Sequence, residues 1–353
     1  MRASLIAAGS LSVWSLACDA TAVESFAAAD CPSLAGAAAD TGGGARPPAA
    51  LADTGLYCDA ARFATAPGVE AFRPAYEGWS DGADKTRWIQ LPAGTRIDTS
   101  DPDNWSFPIG TRLWKEFKYA GKRVETRFIA RVGAGSDDFV YAAYQWNADE
   151  TAAELVPEVG AADVAPVASA PSAPLHDIPG TGTCKYCHGA LPAHVLGIGT
   201  VQSSHEPGGL SLAELVAADR LTAAPAAPYE VPGNAVEQAA LGYLHANCGH
   251  CHNDTDTGVT APRFVLRLLV SDDTPAATQA YATAVNVLHT WLNAPPEAGD
   301  YRVRGGDPGS SELYFRTGVR APGLQMPPVG SELADERGHA ILKQWIEQLP
   351  APD

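Results

Sequence analysis

Two kinds of residue are scarce in this chain of 353 residues. Methionine occurs twice, at Met1 and Met326, and 24 Lys and Arg face 41 Asp and Glu. The shortage of cations leaves a formal net charge of −17, which argues against nucleic acid and against anionic lipid surfaces as partners. It permits steering toward a basic redox protein, although a well-solvated surface explains the charge equally well. Long apolar runs are also lacking. Beyond the N-terminus no stretch reaches the ~18 apolar residues that a membrane-spanning helix needs. Cysteine is sparse too, with seven residues, and their placement is informative.

Four of the seven stand in two copies of one string, Cys184-Lys-Tyr-Cys187-His188 and Cys248-Gly-His-Cys251-His252. This is the attachment pattern of c-type haem: two thiols bond to the two vinyl groups of one porphyrin, and the adjacent imidazole takes the proximal iron position. Two copies predict two covalently bound haems, with Cys184, Cys187, Cys248 and Cys251 as anchors and His188 and His252 as proximal ligands. A single zinc held by four cysteines is the competing reading. It gives no reason for a histidine after both pairs, and 61 residues from Cys187 to Cys248 is long for a zinc ribbon. A thioredoxin-like dithiol would want one pair beside a βαβ pattern, which is not there.

Met326 stands in Gly323-Leu-Gln-Met326-Pro327-Pro328, 74 residues after His252. A neutral thioether favours reduced iron, and the prolines stiffen the loop that presents it. Met326 is therefore the expected distal ligand of the second haem. No methionine remains for the first. Of the other histidines, His194 and His205 follow the first motif closely and are the candidate distal ligands. His245 could reach across from ahead of the second motif, and His250 is poorly placed inside an attachment loop. An open, five-coordinate first iron is the remaining option.

The N-terminus has the pattern of an export signal: Arg2, a mostly apolar Leu5–Ala17, then small residues. Leu16-Ala17-Cys18 resembles a lipoprotein box, which would make residues 1–17 a signal peptide and Cys18 the lipidated N-terminus. Ordinary cleavage after Ala20 or Ala22 is the alternative. Cys31 and Cys58 remain, and two thiols in an oxidising compartment tend to pair. Residues 18–53, rich in Ala, Gly and Pro, are expected as a flexible tether. Val124, Thr126, Phe128, Ala130 and Val132 alternate with Glu125, Arg127, Ile129 and Arg131, a half-buried strand. Thr111–Tyr119 and Phe139–Trp146 are its expected neighbours, across the Ala120-Gly121 and Gly133–Asp138 turns.

This predicts a multidomain α+β protein. Residues 54–155 form an antiparallel, sandwich-like β domain. A linker over 156–175 leads to a first haem segment, 176–233, and a cytochrome c domain with the second haem, 234–353. The haem region is expected to be mainly helical, with helices over Val236–Ala246 and in part of Leu210–Ala224. A further helix has Ile341, Leu342, Trp345, Ile346 and Leu349 along one face and ends at Pro350. Asp98, Asp101 and Asp103, like Asp254 and Asp256, do not fit a calcium loop and are expected to hydrogen-bond turns. Trp79, Asp81, Lys85 and Arg87 are expected to pack within the β domain.

Residues 235–349 resemble a monohaem cytochrome c domain, on Asn247-Cys248-Gly-His-Cys251-His252-Asn253, the Met326-Pro-Pro loop and the final helix with Trp345. More broadly, residues 54–350 are similar to an uncharacterised bacterial family of dihaem c-type cytochromes with an N-terminal β domain. The matching stretches are Trp79-Ser-Asp81-Gly-Ala-Asp-Lys85-Thr-Arg87-Trp88, Trp105-Ser-Phe107-Pro108-Ile-Gly110-Thr111, Lys115-Glu-Phe117 and Val124-Glu125-Thr126-Arg127. The resemblance implies architecture and no particular reaction. The residues favour electron transfer to a redox protein in the cell envelope, from the periplasm or from a lipid anchor. One rival is a peroxidase-like enzyme with an open first iron. The other is a redox subunit that binds substrate through Trp79, Trp88 and Trp105.

Overall fold

Alternation organises the β region. In the computed structural model, which describes residues 46–59, 63–135, 138–167, 174–255 and 263–352, six strands run in chain order across one antiparallel sheet. They are β3 (Val69–Phe72), β4 (Asp84–Gln90), β5 (Arg112–Tyr119), β6 (Lys122–Arg131), β7 (Phe139–Trp146) and β8 (Ala153–Leu155). Ahead of them, β1 (Tyr57–Asp59) and β2 (Ala64–Thr65) make a small ribbon, and β9 (Gly160–Pro166) pairs with β10 (Leu175–Pro179). The strands expected around 111–146 are present. Among the described residues, however, there is one meander with two ribbons, and no second sheet of similar size to complete a sandwich.

Successive side chains of a strand point to opposite faces, so the register assigns each residue a side. One face carries Trp114, Phe128, Val140, Ala142, Tyr144 and Trp146, and it is covered by Leu51, Leu56 and Tyr57. The other carries Phe72, Ile89 and Leu113, packed against Val195, Ile198, Leu212 and Leu215. Covering both faces explains a departure from expectation. The polar side of β6, expected at solvent, is turned inward, and Glu125 is fully buried. The end of the expected tether is docked as well: Leu51 is buried and the Pro48 carbonyl accepts the Tyr144 hydroxyl at 2.9 Å.

Seven helices follow: α1 (Thr181–His188), α2 (Thr200–Ser203), α3 (Leu212–Ala217), α4 (Ala235–Asn247), α5 (Gln279–Ala284), α6 (Glu312–Gly318) and α7 (Glu336–Gln348). Only α4 and α7 reach 13 residues. Turns and irregular segments make up most of the chain around them, so this half is less helical than expected. The part of 210–224 that is helical is α3, and the expected linker contains β9. Asn234 caps α4 reciprocally with Glu237, satisfying first-turn N–H groups. The apolar stripe of α7, Leu342, Trp345 and Ile346, packs on Ala240, Leu241 and Leu244 of α4. Burial of such stripes is the main driving force here, at ~25 cal/mol per Å² of apolar surface. Among the described residues no helix is long and apolar enough to cross a membrane.

Candidate cofactor site

Both cysteine motifs open onto one cavity of about 320 Å³. Its lining includes Cys184, Cys187 and His188 of the first motif, Cys248, Cys251 and His252 of the second, and Met326 with Pro327 and Pro328. Three local arrangements bring them there. The first motif lies on α1, which leaves the β9–β10 ribbon at Gly180; a Cβ on Gly180 would come 2.0 Å from the Glu158 carbonyl oxygen, so only glycine fits this exit. The second motif begins as α4 ends, with Cys248 in the capping position and His252 N–H donating to the Cys248 carbonyl at 2.8 Å. Asn253, just after it, donates to the Ala190 carbonyl just beyond the first motif, 2.9 Å, and so ties the two together. Met326 sits on a loop held by α6, through its own N–H to the Arg316 carbonyl at 2.9 Å.

The two candidate proximal histidines are in a form that can bind a metal. Burial pushes the His188 imidazole down to about 3, against the hydrogen bond from Nδ1 to the His194 carbonyl at 3.0 Å. Burial pushes His252 to about 4, with the Phe264 backbone opposing. Both rings are neutral at physiological pH, as coordination requires. Burial raises the thiols of Cys184 and Cys248, to about 11 and about 12. Cys187 and Cys251 share a hydrogen bond that holds Cys187 low and Cys251 high.

The histidines are placed differently from expectation. His194 and His205, the candidate distal ligands, are not among the residues lining the cavity. His194 Nδ1 meets the Tyr141 hydroxyl at 2.9 Å and its ring stacks on Phe139, while its carbonyl orients His188. The ring nitrogens of His205 face the carbonyls of Glu206 and Arg73, at 2.7 and 2.9 Å. His245 is half-buried and accepts from the Leu268 N–H at 3.1 Å. His250, set aside from the sequence, does line the cavity, and its ring comes within 4.8 Å of the Cys187 and Cys251 sulfurs. Only the tertiary pairing of the two motifs puts it there, so no signal in the sequence could have found it. These three donors could hold a soft ion such as zinc, but only where Cys187 and Cys251 are free thiols.

The sheet supplies a wall of the same cavity. Trp79 and Arg87, expected to pack within the β region, line it, as do Lys115 and Arg127. Trp79 also bridges outward: Nε1 donates to the Leu333 carbonyl at 2.9 Å, and its backbone N–H to Asn247 Oδ1 at 2.6 Å. Beside the wall, fully buried His176 donates from Nε2 to Glu125 at 2.9 Å and meets the Tyr119 hydroxyl through Nδ1 at 3.0 Å. Trp105 offers no exposed aromatic face, being 2% exposed and bonded to Thr200, and Trp88 is half-buried. Asp101 and Asp103 hold turn and loop N–H groups, as expected of them.

Cys58 is disulfide-bonded, and its partner lies outside the described residues, as do Cys18, Cys31 and Asp256. No protein-family model matches this chain, and neither a curated protein nor a solved structure matches it.

Proposed function

We infer that this protein is an exported dihaem c-type cytochrome that carries electrons in the bacterial cell envelope. The observation behind this reading is that both Cys-x-x-Cys-His strings and the one internal methionine line a single cavity. The donor set fits covalent haem: four thiols, two neutral, half-buried imidazoles and a thioether. Cys184 and Cys187 would anchor one haem and Cys248 and Cys251 the other, with His188 and His252 as proximal ligands and Met326 as the distal ligand of the second. Bound haem would supply one-electron chemistry. The chain's own part is to keep the two groups adjacent, to orient His188 through the His194 carbonyl, and to shield the site with apolar side chains. The Cys58 disulfide supports an oxidising compartment.

Expression with a c-type maturation system tests this. The holoprotein should carry two haems that survive acid–acetone extraction, and Cys248→Ala with Cys251→Ala should remove one. Met326→Ala should abolish the weak far-red thioether band and lower the potential of one haem only. A zinc-loaded protein without a Soret band would refute the reading. If the band and both potentials survive at Met326→Ala, that residue is core filler.

A second reading has its own support. With His194 and His205 off the cavity lining, the first iron is left without the distal ligands expected for it, and an open position there would suit a peroxidase-like enzyme. A high-spin ferric EPR signal from one haem, with peroxide turnover, would favour the enzyme; two low-spin signals favour the carrier.

A further inference from the structure

Three cations stand side by side on the cavity wall. Arg87 on β4 is directly opposite Lys115 on β5, and Lys115 is directly opposite Arg127 on β6. All three line the cavity that the cysteine motifs share. Like charges directly opposite one another across strands repel. A chain with 24 cations against 41 acidic groups has no general surplus to place here, so the row needs a local reason.

The protein relieves only the ends of the row. Arg127 is paired with buried Glu125, Nη2 to Oε2 at 3.0 Å. Arg87 lies 3.5 Å from Glu77, whose side chain is 54% exposed. The Lys115 ammonium, in the centre, makes no hydrogen bond or ion pair with any described residue, and the centre of the Phe117 ring lies 4.8 Å from it. Burial, with Arg87, Arg127 and Lys85 adding to it and Glu125 only partly opposing, pushes the Lys115 ammonium well below its ordinary value. An ammonium kept between two guanidinium groups, with no anion bonded to it directly, is costly. The wall is therefore incomplete as the protein alone presents it.

What completes it must be anionic and must lie in the cavity. Guanidinium forks match carboxylates, and an ammonium between two such forks adds a third donor. Haem carries carboxylates of its own, on the side of the ring away from the vinyl groups that bond to cysteine. The thiols come from α1 and from the turn after α4, whereas the cations come from the sheet, a different wall. We propose that Arg87, Lys115 and Arg127 seat the propionate carboxylates of bound haem, so that the β region is part of the cofactor site. This rests on the dihaem reading above. It gives the sheet a function that fold alone did not assign.

The test uses the full-length holoprotein with Lys115→Met and Lys115→Arg. Haem is first counted by mass spectrometry of the denatured chain; fewer than two haems in the parent protein overturns the dihaem reading and this proposal with it. With two haems present, Lys115→Met should leave the count and the axial ligands unchanged. It should weaken the reduction equilibrium of one haem on the order of tenfold, the scale of losing a unit charge roughly 10 Å away at an effective dielectric constant of about 20. It should also make that potential pH-dependent, because a propionate no longer held ionised takes up a proton on reduction. Lys115→Arg should restore the parent behaviour. Two haems with unchanged potentials and pH profile in Lys115→Met overturn the proposal alone. So does a parent potential that moves with added free acetate, which would mean that solvent anions fill the row.

Discussion

His176 has a carboxylate on one side and a phenol on the other, and it has no exposed surface. Burial works against its charged form, but the Asp81 carboxylate 3.9 Å from Nδ1 and the hydrogen bond to Glu125 outweigh this and lift it above the ordinary 6.5. Burial likewise works against the Glu125 carboxylate, yet Arg127 and His176 hold it below the ordinary 4.5. The raised histidine adds stability that is complete below about pH 6.5 and is lost as pH climbs through its folded value. The lowered carboxylate adds stability that is complete above about pH 4.5 and is lost as pH falls through its folded value. Together the pair stabilises the fold most between those limits. His176→Gln should cost about 1–3 kcal/mol near pH 6, and the cost should shrink toward pH 8. Thermal unfolding of parent and variant across that range reads it directly; parallel profiles would show that folding leaves the His176 titration unshifted.

The contact between α4 and α7 is close enough to be tested with one methyl group. Gly338 on α7 lies under the Tyr243 ring of α4, where a Cβ would fall 2.2 Å from a ring carbon. Gly338→Ala gains helix propensity of ~1 kcal/mol, but overpacking of this kind costs ~1–3 kcal/mol, so the net effect should be destabilising. A lowered Tm with unchanged haem content is the expected result, and an unchanged or raised Tm would mean the helices separate freely. Elements with strict periodicity were legible in advance. Val124 to Val132 announced β6, and Leu342, Trp345 and Ile346 announced α7, because burial on one side leaves a repeating mark. Strand β9 left none: hardly any of its side chains are buried, so backbone pairing with β10 holds it without a pattern. The cysteine motifs and Met326 could be read because the chemistry is local. The cation row and His250 could not, because register and the pairing of distant motifs align them.

At the scale of the whole molecule the charge is lopsided: a surplus of acid overall, with a row of cations turned inward. An acidic exterior suits encounter with a basic partner, more strongly at low salt. Where that encounter happens depends on the N-terminal segment. With two acyl chains on Cys18 the protein would stay at a membrane face, since two chains anchor stably and one is marginal. Cys18→Ala should release it to the soluble envelope fraction or leave it unprocessed. A lipid-free mature terminus at Thr21 or Val23, found by mass spectrometry, would rule the anchor out. The bonds that close the cavity have another consequence. Trp79 and Asp81 are fastened to Leu333, across 254 and 252 residues of chain. At about 5–20 residues per second of synthesis, the residues in between take on the order of tens of seconds to appear. Both cysteine pairs emerge within that interval, ahead of the segment that seals them in. On the dihaem reading, the late arrival of Leu333 would act as a timer, leaving four thiols open to haem attachment until that segment closes over them.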